Sequence, residues 1–168
     1  MRLRRPEIQY IFEDSEPVAM LYSAEFAREL PENGPAANLR ISFETEDWSR
    51  LTEASGESYA SPLVSEEAVY GILYTSGTTG RPKGAMLTHF NVVHSCIHWE
   101  EVHAMTSDER TALCVPWSHV SGLCGVMLPL LALGGTIVMV ADFKRRAFLE
   151  LAQAERITHA LLVPAMYG

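Results

Sequence analysis

Val69-Tyr-Gly-Ile-Leu-Tyr-Thr75, Ser76-Gly-Thr-Thr-Gly-Arg-Pro-Lys-Gly84 and Thr88-His-Phe-Asn-Val-Val93 lie close together in the chain, and their reading decides the fold. The first is an apolar run of strand length. The second is too rich in glycine to continue it, and the third opens a helix, capped by Thr88 or Asn91 and running to about Met105. Gly77, Gly80 and Gly84 let the backbone take positive φ and come close to a ligand. Ser76, Thr78 and Thr79 supply hydroxyl donors, and successive N–H groups in such a turn form an anion-binding concavity. Lys83 adds a mobile cation suited to a polyphosphate. The run does not fit G-x-x-x-x-G-K-S/T: counting from Gly77, the sixth position is Pro82, and Gly84 follows Lys83. Nor does it fit G-x-G-x-x-G. A solvated turn accounts for a pair of glycines more easily than for all ten residues from Thr75 to Gly84.

Upstream, Ile8, Ile11 and Phe12 give helical spacing over Arg4–Asp14. A strand is expected over 18–22, a short helix over Ala24–Leu30, and a strand over 39–43. Asp47 is a candidate cap for a helix to about Ser55. The polar stretch 56–67 reads as a loop. Downstream, strands are expected at 111–115, 136–140 and 159–163, with helices at 119–133 and 145–156. Alternation of this kind predicts an α/β fold, with mainly parallel sheets flanked by helices.

The chain has 168 residues, 48% hydrophobic and 20% charged, which is a globular composition. Its net charge of −8 is uneven: residues 1–70 carry 6 Lys/Arg against 14 Asp/Glu, while 71–168 carry 7 of each. No basic face emerges, which argues against a nucleic-acid partner. Cys96, Cys114 and Cys124 form no CxxC pair and read as reduced thiols of a cytoplasmic protein. The basic start is followed at once by Glu7, Glu13 and Asp14, without a signal-peptide pattern. Val120–Ala141 holds no charge and has the length of a membrane span. Pro129 and Gly134-Gly135 divide it into helix, turn and buried strand, so no transmembrane segment is expected.

The glycine-rich run resembles the signature loop of the adenylate-forming (AMP-binding) superfamily, which includes acyl-CoA synthetases, luciferases and peptide-synthetase adenylation domains. The likeness extends to Arg2-Leu-Arg-Arg-Pro-Glu-Ile-Gln-Tyr-Ile-Phe-Glu-Asp-Ser15, Leu87-Thr-His-Phe-Asn-Val-Val93, Val115-Pro-Trp-Ser-His-Val-Ser-Gly122 and Ala160-Leu-Leu-Val-Pro164. The Pro-Trp-Ser-His segment resembles the form used by acyl-CoA synthetases; amino-acid adenylation domains, the alternative, usually carry Phe-Asp there.

The resemblance implies a two-step ligase. A small-molecule carboxylate attacks ATP, accompanied by Mg²⁺, to give an acyl-adenylate; coenzyme A then takes the acyl group. It implies that Thr75, Ser76, Gly77, Thr78, Thr79, Gly80 and Lys83 hold the nucleotide phosphates. It gives Lys83 and His119 the catalytic places, His119 beside the carboxylate. The family's later parts (an aromatic-Gly-x-Thr-Glu motif, a ribose-binding aspartate, a hinge and a C-terminal lysine) have no match here. The expectation is therefore an incomplete piece of the large N-terminal domain. Residues 1–110 would belong to one α/β subdomain and 111–168 to the start of the next. Such a piece would not turn over alone and would self-associate through exposed sheet edges. A phosphate-binding module without turnover, or a truncated product, are the other readings. Neighbouring coding sequence that supplies the absent motifs would favour the enzyme.

Other residues have plainer explanations. His94, His98 and Glu101 share a helix face, yet without HExxH they read as surface, and no metal site is expected. Trp117 reads as packing, Lys144-Arg145-Arg146 as the solvated start of a helix, and Cys114 and Cys124 as buried small hydrophobes.

Overall fold

The computed structural model describes residues 3–34, 39–53, 60–75 and 81–167. They group into two compact units, Met1–Val64 with Tyr74–Ala85, and Ser65–Leu73 with Met86–Gly168. In this chain the helix of residues 89–103 packs with residues C-terminal to it, and Val92 and Cys96 share a core cluster with Cys124.

In the first unit, helix α1 spans Arg5–Ser15. Glu7 accepts the backbone N–H of Arg4 at 2.7 Å, which satisfies a donor at the helix start. Glu16 ends α1 in the left-handed region (φ 45°), and Pro17 prevents continuation. Strands β1 (Met20–Tyr22) and β2 (Arg40–Ser42) pair in parallel, Met20 opposite Arg40. Between them lies the short helix expected, Ala24–Glu29, of the 3₁₀ type. Glu44 ties this region together: it accepts from the Ser23 hydroxyl at 2.7 Å, the Ala24 N–H at 2.9 Å and the Ser42 hydroxyl. Helix α2 is Glu46–Thr52, with Thr45 at its N-cap; Asp47, the expected cap, lies inside the first turn.

Strands β3 (Val69–Thr75) and β4 (Lys83–Thr88) form a two-stranded sheet. The expected run from loop directly into helix is corrected here, because Lys83 and Gly84 belong to a strand. The connection 76–82 is too short for a parallel crossover, so the pair is a hairpin. The tip of the hairpin belongs to the first unit and its base to the second.

Helix α3 (His89–His103) starts in a reciprocal cap that uses both expected residues. Thr88 Oγ1 accepts the Asn91 N–H at 3.2 Å, and Asn91 Oδ1 accepts the Thr88 N–H at 3.0 Å. Strand β5 (Arg110–Leu113) is the centre of a parallel sheet ordered β6-β5-β7, with β6 at Thr136–Met139 and β7 at His159–Leu161. Thr111 and Ala112 are fully buried, as expected of a strand covered on both faces. Between β5 and β6, the helix expected over 119–133 is α4 (Val120–Gly122), a π turn (Leu123–Met127) and α5 (Leu128–Leu133). The widening stands just before Pro129, whose missing N–H cannot close an α-type bond to the Gly125 carbonyl. Gly134 (φ 75°) then turns the chain into β6. Helix α6 (Arg145–Ala154) crosses to β7.

Leu113, Val115 and Val126 make one core cluster, with Ile137 and Leu161 against it. Arg110 anchors the start of β5: its Nε donates to the Glu155 carbonyl at 2.5 Å, and a terminal nitrogen pairs with the Glu155 carboxylate at 2.7 Å. Among the described residues no helix is long and apolar enough to cross a membrane.

Candidate functional site

The hairpin sets Thr75 at the end of β3 and Lys83 at the start of β4, on either side of 76–80. Of the expected phosphate-binding residues, Ser76, Gly77, Thr78, Thr79 and Gly80 lie outside the described residues. The Thr75 hydroxyl meets the Lys83 carbonyl at 3.5 Å, at the outer limit for such a bond, so it can turn to a better acceptor. Lys83 is exposed, and its ammonium has no acidic partner among the described residues. A cation with no acidic partner among the described residues and a weakly engaged hydroxyl can both bond anionic oxygens.

Both stems of the hairpin tip touch α1. Tyr74 donates its hydroxyl to Asp14 Oδ2 at 2.5 Å. Burial, and then this bond to Asp14, push the Tyr74 phenol up to about 12. The Arg81 guanidinium stands 5.8 Å from the centre of the Tyr10 ring. Sequence reasoning missed these contacts; the only signal for them was that Tyr10 and Asp14 stand four apart on one helix.

His119 belongs to the second unit, in the turn after β5. Its N–H donates to the Pro116 carbonyl at 3.1 Å, and its carbonyl accepts from Leu123 at 2.9 Å. The imidazole is exposed and has no side-chain partner among the described residues. Gly122 makes the turn possible, since a Cβ there would sit 2.3 Å from the Pro116 carbonyl oxygen. Trp117, expected to pack, is 57% exposed. The chain leaves β5 for β6 on one side and returns to β7 on the other. The turn carrying His119 thus follows the carboxyl end of the strand where the order reverses, a place where open α/β sheets take ligands.

The His94 and His98 rings lie 6.3 Å apart, and His94 packs on Phe90 at 4.0 Å. Among the described residues no group of three or more His, Cys, Asp or Glu is placed to hold a metal. Cys96, Cys114 and Cys124 are buried and free, and burial pushes each thiol up, away from the reactive thiolate.

The AMP-binding enzyme family matches residues 1–168. The chain belongs to that family. It is 34% identical over 166 residues to a feruloyl-CoA synthase of Amycolatopsis sp., covering 99% of this chain and 33% of that protein. It is 30% identical to an indoleacetate–CoA ligase of Aromatoleum aromaticum, covering 98% of this chain and 34% of the relative. Among solved structures, MbtA of Mycobacterium smegmatis superposes with a TM-score of 0.85 at 25% identity, over 98% of this chain and 33% of that one. The AMP-binding chain therefore spans about a third of the length of the curated relatives it matches. Its α/β architecture, with parallel sheets, is that of the N-terminal part of adenylate-forming enzymes.

Proposed function

We propose that this chain is part of an ATP-dependent carboxylate–CoA ligase and carries its nucleotide-phosphate site. The observation that carries the reading is the hairpin, where Thr75 and Lys83, which has no acidic partner among the described residues, flank 76–80. In this reading Thr75, Ser76, Gly77, Thr78, Thr79, Gly80 and Lys83 hold the phosphates of Mg-ATP. Lys83 offsets charge as pyrophosphate leaves, the chemistry the nucleotide supplies when bound. His119 orients the carboxylate from the turn after β5, and coenzyme A takes the acyl group in the second step. The two relatives named above are CoA ligases for aromatic acids, which supports an acid–CoA ligase over an amino-acid adenylation piece.

The same reading keeps the subdomain boundary near 110/111 in the longer protein and a cytoplasmic location. It includes self-association of the isolated chain through the exposed edges of β6 and β7. Sedimentation that shows only monomer would count against the last point. The site itself is tested by calorimetric titration of Mg-ATP. Saturable binding that Lys83→Ala weakens about tenfold or more is expected, the cost of one charge-assisted contact. A folded chain that binds nothing would refute a preformed phosphate site.

A further inference from the structure

We propose that helix α1 positions Thr75 and Lys83, acting through Tyr74 on Asp14 and Arg81 on Tyr10. The proposal rests on the phosphate-site reading and names the residues that hold the site in place. Tyr10 and Asp14 stand one turn apart on α1, so they share a face. Tyr74 is the neighbour of Thr75, and Arg81 lies two residues before Lys83. Each side of the hairpin tip therefore has its own anchor on one helix face.

The anchors differ in kind. The phenol-to-carboxylate bond at 2.5 Å is charge-assisted and directional, and it fixes the β3 end. The Arg81–Tyr10 contact at 5.8 Å is looser and tolerates small shifts at the β4 end. Helix α1 itself is held at both ends, by Glu7 at its start and by the left-handed Glu16 at its close. A displacement of α1 would carry Thr75 and Lys83 with it and change how well they meet phosphate oxygens. Tyr74, Asp14, Tyr10 and Arg81 are thus positioning residues and need not touch the nucleotide.

The test is a double-mutant cycle on the full chain with Tyr74→Phe, Asp14→Asn and the pair, read in two ways. Trypsin cleavage at Lys83–Gly84 without nucleotide reports whether α1 holds the hairpin tip. Each variant is expected to be cut about fivefold faster there, while cleavage after Lys144 and Arg156 stays at the wild-type rate and shows that the fold is intact. Calorimetry with Mg-ATP reports the site: each single variant should raise Kd about fivefold and the pair no further, because both remove one contact. Asp14→Glu, which keeps the acceptor, should recover part of the affinity, whereas a general loss of stability would not be rescued this way. Unchanged cleavage at Lys83, or affinity losses that add, would overturn the proposal. If the wild-type chain binds no Mg-ATP, the phosphate-site reading fails, and the positioning role fails with it. The cleavage rates would then show separately whether the anchors exist.

Discussion

The sheet around β5 and the tip of the β3–β4 hairpin are built by different physics. In the second unit Thr111, Ala112 and Leu113 of β5 are buried, and Val126 and Leu130 are fully buried. In the first unit only Met20, Pro31 and Ser42 are buried among the described residues. What holds that unit is mostly polar: Glu44 with Ser23, Ser42 and Ala24, Asp14 with Tyr74, and Arg5 with Glu32 at 2.8 Å. The residues proposed to meet phosphate are thus carried where apolar burial is thin and directional bonds set geometry. A site that must close on a ligand and release it gains from local stability below that of the core.

The largest effect should come from the second unit. Leu130→Ala would leave a cavity beside Gly135, whose backbone packs against the Leu130 side chain. It should cost about 2–5 kcal/mol, read by denaturant unfolding. Much smaller losses would mean that the second unit is less tightly packed than its burial implies.

Acid should act on the other unit. Bonds from the Ser23 and Ser42 hydroxyls and then the Ala24 N–H hold the Glu44 carboxyl at about 2. Its folded value lies below the unfolded one, so its contribution is complete above the ordinary carboxylate value of 4.5. The contribution fades as pH falls from there towards 2 and is gone below that. Glu44→Gln should therefore flatten this part of the acid limb for peptides of the first unit, while those of the sheet stay unchanged. Hydrogen exchange as a function of pH reads both. Because Glu44 is exposed, this effect should be smaller than that of Leu130→Ala.

The same contrast explains what the sequence made legible. Elements of the second unit lie almost where expected, because a β-branched or apolar run such as Thr111–Val115, which is buried throughout, has few other ways to leave water. The π turn within 119–133 is not visible in the apolar pattern; its signal is Pro129, which lies inside the expected helix and cannot close an α-type bond to Gly125. The hairpin was half missed. Gly84-Ala-Met-Leu has weak strand propensity, and only pairing with β3 makes it a strand. The chemistry of the phosphate run was plain from its glycines, hydroxyls and lysine, but its anchors on α1 were not. Asp14 and Tyr74 are sixty residues apart, and nothing local announces their bond. Trp117 reads as packing from its size and apolar character alone, yet it is 57% exposed, in a turn where a Cβ at Gly122 would meet the backbone of Pro116 and Trp117.

The most direct test of the central claim is hydrogen exchange of the chain with and without Mg-ATP. The account predicts slowed exchange in peptides covering 74–88, abolished by Lys83→Ala, with β5, β6 and β7 unaffected. Unchanged exchange across the hairpin at saturating nucleotide, or slowing that persists in Lys83→Ala, would contradict it.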